Sequence, residues 1–113
     1  MKIKMVSLSN NEEFKNLIKG KRIKNKYFTI FFKKLINKNT KFLNISFVTK
    51  RKLGNAVKRN RIKRRLRHIM RDAINKISLN LNYSYLIIAK STVLKDEYNS
   101  VKKTMFSNFE RIK

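Results

Sequence analysis

Between Lys50 and Arg71 the chain concentrates side chains suited to one kind of chemistry, the holding of phosphate. Seven arginines fall in residues 51–71, and from Phe14 to Arg71 there are 21 Lys and Arg without a single Asp or Glu. With each residue advancing by ~100° around a helix, Asn60, Arg64, Arg67 and Arg71 fall at i, i+4, i+7 and i+11, within an arc of about 60°. They form one ridge. Arg61 and Arg65 lie on the other flank with Lys58 ahead of them, so cations border the helix's apolar stripe on both sides. A planar guanidinium donates bidentate hydrogen bonds to phosphate, and the Asn60 amide offers both donor and acceptor to a base edge or ribose. An ordinary solvated helix face would intersperse acids at i+4 to relieve repulsion, and none is present.

Other chemistries find little material. The chain has no Cys and one His, His68, which rules out thiolate nucleophiles, disulfides and zinc clusters and leaves any triad dependent on that imidazole. His68 falls on the polar side of the wheel, facing RNA or solvent, and Asp72 is expected to pair locally with His68 or Lys76. No catalytic residue and no metal ligand is assigned. Thirty Lys and Arg against six Asp and Glu give a net charge of +24 over 113 residues, which calls for a polyanionic partner. The composition is 42% hydrophobic and 11% aromatic, enough for a packed core and unlike a basic disordered tail. No stretch approaches the length of a membrane span, and Met1-Lys2-Ile3-Lys4-Met5-Val6 lacks an apolar signal core, so a cytoplasmic chain is expected.

The ridge needs a helix and the helix needs something to pack on. Gly54-Asn55 supplies a break and an N-cap, and Ile62, Leu66, Ile69, Met70, Ala73, Ile74 and Ile77 mark one apolar face over 55–78. Ser9-Asn10-Asn11-Glu12 has capping-box spacing and opens a short helix over 10–19, closed by Gly20. Strands are expected over 27–36, apolar on both faces, and over 42–49, with Leu43, Ile45 and Phe47 alternating against Asn44 and Ser46. The turn-like residues 37–40 between them suggest a hairpin. Residues 21–24 add a short charged edge strand, and 83–90 a further strand. A last helix is capped by Asp96 or by Ser91/Thr92, with Tyr98, Val101, Met105, Phe109 and Ile112 as its stripe. This order predicts one domain over 1–113, an α+β two-layer sandwich of helices on a small, mainly antiparallel sheet. Phe14, Ile18 and Phe31 serve either as core or, exposed in a basic groove, as platforms on which single-stranded bases stack.

The run from Gly54 to Arg67, centred on the triplet Arg59-Asn60-Arg61, resembles the signature of the protein subunit of bacterial ribonuclease P. The likeness extends to the Asn-Glu-Glu-Phe helix near the start, Asn25-Lys26-Tyr27-Phe28, Tyr85-Leu86-Ile87-Ile88-Ala89 and the closing helix. The resemblance implies a fold similar to the second domain of ribosomal protein S5, with a left-handed βαβ crossover; pattern alone predicts a right-handed one. It implies an accessory subunit of a ribonucleoprotein endonuclease that removes the 5′ leader of precursor tRNA, with catalysis and the required Mg²⁺ belonging to the RNA. Carried over by position, Arg59, Asn60, Arg61, Lys63, Arg64 and Arg67 would contact the catalytic RNA, with Lys50, Arg51 and Lys52 upstream. Lys58, Arg65 and Arg71 join them from the charge pattern. Phe14, Ile18 and Phe31 match positions lining the family's leader cleft.

This sequence departs from its relatives in two places. Many relatives carry an aromatic where Ile18 stands, and residues 48–53 run one basic residue longer than the usual approach to Gly-Asn. The expected partners are the catalytic RNA and the precursor's leader, with no membrane and no DNA. A structural ribosomal or RNA-chaperone protein would use the basic helix without a leader cleft, and a membrane-surface protein would need the helix's apolar face exposed.

Overall fold

The computed structural model describes residues 3–8, 11–35 and 41–112, and of Asn11 the backbone alone. Ser9 and Asn10 of the capping box, Ile36 and the turn at 37–40 lie outside the described residues. In chain order the elements are β1 (Lys4–Val6), α1 (Asn11–Ile18), β2 (Lys21–Lys24), β3 (Phe28–Lys34), β4 (Phe42–Val48), α2 (Ala56–Lys76), β5 (Tyr83–Ala89), α3 (Thr92–Lys95) and α4 (Tyr98–Glu110). A single 3-10 turn, Arg51–Leu53, precedes α2.

The strands form one sheet in the order β1-β4-β5-β3-β2. The hairpin expected between β3 and β4 is not formed, because β5 lies between them. It runs antiparallel to β3, with Phe28 opposite Ala89 and Lys34 opposite Tyr83, and parallel to β4, with Asn44 opposite Ser84 and Val48 opposite Ile88. β3, β4 and β5 all bury consecutive residues, Tyr85, Leu86 and Ile87 in β5, so each is covered on both faces and suits the interior of the sheet rather than an edge. β1 was not foreseen; it adds to the edge parallel to β4, with Met5 opposite Leu43. The α+β architecture is therefore as expected, on a sheet whose described pairings are two parallel and two antiparallel.

The larger core lies on one face of this sheet. Ile62, Leu66, Ile69, Met70 and Ala73 of α2, with Val101, Met105 and Phe109 of α4, close over Phe28, Ile30, Leu43, Ile45, Tyr85 and Ile87. The Phe109 ring meets Tyr85 edge-on at 5.0 Å. Tyr85 is fully buried and keeps its hydroxyl satisfied by donating to the Asn80 carbonyl at 2.6 Å; burial pushes that hydroxyl's pKa well above its ordinary value. On the opposite face Leu8, Leu17, Phe31 and Leu86 form a smaller cluster beneath α1. Between α1 and β2, a Cβ on Gly20 would stand 2.9 Å from the Phe32 carbonyl oxygen, so the corner admits only glycine without a backbone shift.

The last helix begins differently from the sequence expectation. Glu97 occupies the N-cap position of α4 and Ser91 that of α3, neither through its side chain. Asp96 instead accepts a hydrogen bond from the Tyr27 hydroxyl at 2.8 Å and pairs with Lys26 at 2.8 Å, tying α3 to the start of β3. Among the described residues no helix is long and apolar enough to cross a membrane.

Candidate nucleic-acid interface

α2 is started by local geometry that the sequence encodes directly. Gly54 has φ 140°, a conformation L side chains rarely adopt, and Asn55 follows in an extended conformation with its Oδ1 accepting from the Lys58 amide at 2.9 Å. The buried stripe then dictates where the cations go. With Ile62, Leu66, Ile69, Met70 and Ala73 turned to the sheet, the arginines are left on the flanks and the outer face.

On one flank the expected ridge is present. Asn60, Arg64, Arg67 and Arg71 are exposed and Lys63 half-buried, and among the described residues none of the four cations takes part in an ion pair. Lys63, Arg67 and Arg71 form one wall of a groove of about 1050 Å³ between α2 and β1, and the Arg67 guanidinium lies 5.9 Å from the centroid of the Phe47 ring.

The other flank is not uniform. Arg61 is exposed, but Arg65 donates to the backbone carbonyls of Val93 at 2.8 Å and Asp96 at 3.2 Å and lies 6.0 Å from the Tyr98 ring. This guanidinium, expected from the sequence to face RNA, donates through one nitrogen to carbonyls around α3 and joins α2 to the start of α4. Lys58 and Arg59 are half-buried, and Arg59 Nε is buried without a hydrogen-bond partner among the described residues. His68 is exposed with its ring 5.8 Å from Tyr98. Asp72 accepts from Lys102 of α4 at 3.1 Å, and Lys76 and His68, the local partners expected, add a weaker electrostatic effect on its carboxylate. Lys102 Nζ holds the Asp72 carboxyl below the usual carboxylate range, against the opposing effect of burial, and Asp72 in turn raises Lys102.

The smaller-core face carries a second cationic feature. A cleft of about 470 Å³ has Phe31, Thr29 and Ile88 in its lining and four lysines, Lys24, Lys50, Lys52 and Lys90, around them. Lys50 and Lys52 reach it from beside and within the 3-10 turn, so the structure groups them with Phe31 rather than with the ridge. Lys90 Nζ is also anchored, donating to the Asn25 carbonyl at 2.6 Å, while the Thr92 hydroxyl donates to the Lys26 carbonyl at 2.6 Å. Asn25 shapes this loop through its Oδ1, which accepts from the Tyr27 and Phe28 amides. Lys26 first, then the Tyr27 hydroxyl, depress the Asp96 carboxyl that closes the network, and Asp96 raises both of them.

Phe14 packs against the smaller cluster that holds Phe31, whereas Ile18 is not part of it. Phe31 is 7% exposed and packs with Leu17 and Leu86; Phe14 is half-buried and borders the β1–α2 groove; Ile18 is 53% exposed at the end of α1. Lys24 and Lys90 were not singled out from the sequence. The available signal was their place at the ends of β2 and β5, where a strand hands its last side chain to a rim.

Among the described residues no three His, Asp or Glu are grouped as a metal site. Fold and charge together define a class: a small α+β protein that presents unneutralised cations on a rigid helix and around an apolar-floored cleft, built for binding a polyanion. The family model for ribonuclease P matches residues 3–113. The ribonuclease P protein component of Mycoplasma mycoides is 34% identical with complete coverage of both chains, and that of Fusobacterium nucleatum is 35% identical over 96% of this chain and 98% of its own. The solved RNase P protein of Thermotoga maritima superposes with a TM-score of 0.78 at 26% identity, covering 96% of this chain and 98% of the other. The Staphylococcus aureus RNase P protein shares the fold, with a TM-score of 0.71 at 21% identity over 94% of this chain and 93% of its own. The chain belongs to the ribonuclease P protein family.

Proposed function

We propose that this chain binds the catalytic RNA of ribonuclease P through α2 and the single-stranded 5′ leader of precursor tRNA at the lysine-rimmed cleft, assisting removal of the leader to leave the mature 5′ end. The observation that carries this reading is the ridge Lys63, Arg64, Arg67 and Arg71, free of ion pairs among the described residues in a chain of this family. Asn60, Arg61 and Arg59 at the start of α2, with Lys58 and Arg51, extend the contact to the catalytic RNA. Arg65 supports the helix from behind. The leader lies against Phe31 and Ile88, its phosphates among Lys24, Lys50, Lys52 and Lys90, and Ile18 and Phe14 flank its approach.

Bond cleavage belongs to the RNA in this account, together with the Mg²⁺ that the reaction needs; the protein's part is positioning. Holding leader and catalytic RNA on one rigid body reduces the freedom lost on docking, and each phosphate neutralised by a side chain releases its condensed counterions and no longer needs Mg²⁺ to screen it. Reaction on precursor tRNA makes the cytoplasm the compartment of action.

The test compares precursor tRNA carrying a leader of several nucleotides with mature tRNA, in the presence of the catalytic RNA. Lys50→Ala with Lys52→Ala should weaken the leader-bearing substrate several-fold and flatten its salt dependence by about 0.7 per lost contact, with mature tRNA unchanged. Equal losses for the two tRNAs would refute leader binding at this cleft.

A further inference from the structure

The groove between β1 and α2 is built unlike the convex outer face of the same helix. Its wall carries Lys63, Arg67 and Arg71, its floor carries Met5, Phe47 and Ile74, all half-buried, and among the described residues no carboxylate lines it. The Phe47 ring packs with the larger core on the α2 side of the sheet and Phe31 with the smaller cluster on the α1 side; the groove reaches as far as Phe14, which packs on that smaller cluster, but it shares no lining residue with the lysine cleft. Bare phosphate contacts require cations alone, as on the outer face at Arg64, with no hollow beneath them. An apolar floor beneath those cations suits an occupant with an apolar face bonded to a charged backbone.

An A-form duplex keeps its base faces stacked inside, where a floor set below a helix flank cannot reach them. An unpaired nucleotide can turn its base outward. The groove, about 1050 Å³, is as large as the ~300–1,000 Å³ pockets that take small organic ligands, enough for a base and its sugar. The Arg67 guanidinium, 5.9 Å from the Phe47 centroid, sits over the ring on which such a base would lie, and its long side chain can give way or cover the base from above.

We propose that the β1–α2 groove binds an unpaired segment of RNA, with one base stacked on Phe47 and the flanking phosphates held by Lys63, Arg67 and Arg71. This rests on the RNA-binding reading and adds a second single-strand site to it, on the opposite face of the sheet from the leader cleft.

The experiment uses the full chain carrying Lys50→Ala and Lys52→Ala, to weaken the leader cleft, and two probes: a short oligoadenylate with a central 5-iodouridine, and an RNA duplex with the same number of phosphates. Phe47→Leu keeps the apolar floor and should weaken the oligoadenylate at least about 5-fold, with the duplex changed less than about twofold and Phe47→Tyr retaining affinity. Photocrosslinks should map to β4 at Phe47. Equal losses for both probes, no loss, or crosslinks confined to Phe31 would overturn the groove while leaving salt-dependent RNA binding intact. Failure of both probes to bind would overturn the RNA reading and the groove together. Poly-glutamate displacing the crosslink as well as oligoadenylate does would assign the groove to an acidic polypeptide and also overturn the proposal.

Discussion

Arg64 and Arg65 are adjacent in sequence and identical in charge, yet Arg64 is exposed while Arg65 is hydrogen-bonded to backbone carbonyls, so on the proposed reading replacing each should separate binding from stability. Arg65→Met keeps the aliphatic stem but removes the donor to the Val93 and Asp96 carbonyls. A hydrogen bond from a charged donor contributes ~1.5–3 kcal/mol, and because Arg65 shares one nitrogen between two carbonyls at a half-exposed site, the lower part of that range applies, about 2 kcal/mol. For a domain of this size roughly 4 °C of Tm accompanies each kcal/mol, so thermal unfolding should fall by about 8 °C. The salt dependence of RNA binding at temperatures where the variant is folded should be unchanged. Arg64→Ala is the reverse case. Arg64 is exposed and in no ion pair among the described residues, so the loss of stability should stay within about 0.5 kcal/mol. The slope of log affinity against log salt should become shallower by ~0.9 on duplex RNA, which over a fourfold rise in salt is a difference of about 3.5-fold in affinity. Calorimetry and filter binding across salt read both quantities. An Arg65→Met protein with wild-type Tm and a flattened salt slope would refute the assignment of roles on the two flanks.

Two further outcomes follow from the same contacts. Asp72 and Asp96 titrate below their ordinary value in the folded protein, so their stabilisation is complete above the unfolded-state value of ~3.9 and is lost as pH falls through the folded values; urea unfolding between neutral pH and pH 2 should show stability falling below about pH 4, and Asp72→Asn with Asp96→Asn should flatten that fall. Asn55→Ala removes the side-chain cap on the Lys58 amide and should cost about 1 kcal/mol by urea unfolding, with Asn55→Ser recovering most of it.

The parts of this structure that could be read from the sequence are those decided over short spans. α2 repeats its apolar residues at helical period for about four turns from Ile62 to Ile77, and Gly54-Asn55 announces its start, so helix, buried face and ridge were all legible. The placement of β5 was not, because two strands adjacent in sequence and two strands adjacent in the sheet give the same alternation, and β3, β4 and β5 all bury consecutive residues, so burial does not rank them. β1 is three residues long, too short for a period to register. Arg61 and Arg65 are equivalent on a wheel; what distinguishes them is a pair of carbonyls at Val93 and Asp96, about thirty residues away in the chain. Phe31 was legible as either core or cleft and is both in part, a buried side chain that also lines the lysine cleft.

The central claim is tested most directly by cleavage of a 5′-extended precursor tRNA by a bacterial RNase P RNA at low Mg²⁺, with the protein, without it, and with the protein alone. The account predicts cutting at the mature 5′ end only when protein and RNA are combined, and loss of that cutting when Arg64, Arg67 and Arg71 are replaced together by alanine. Cleavage by the protein alone, or an unchanged reaction when a protein that binds RNA is added, would contradict it.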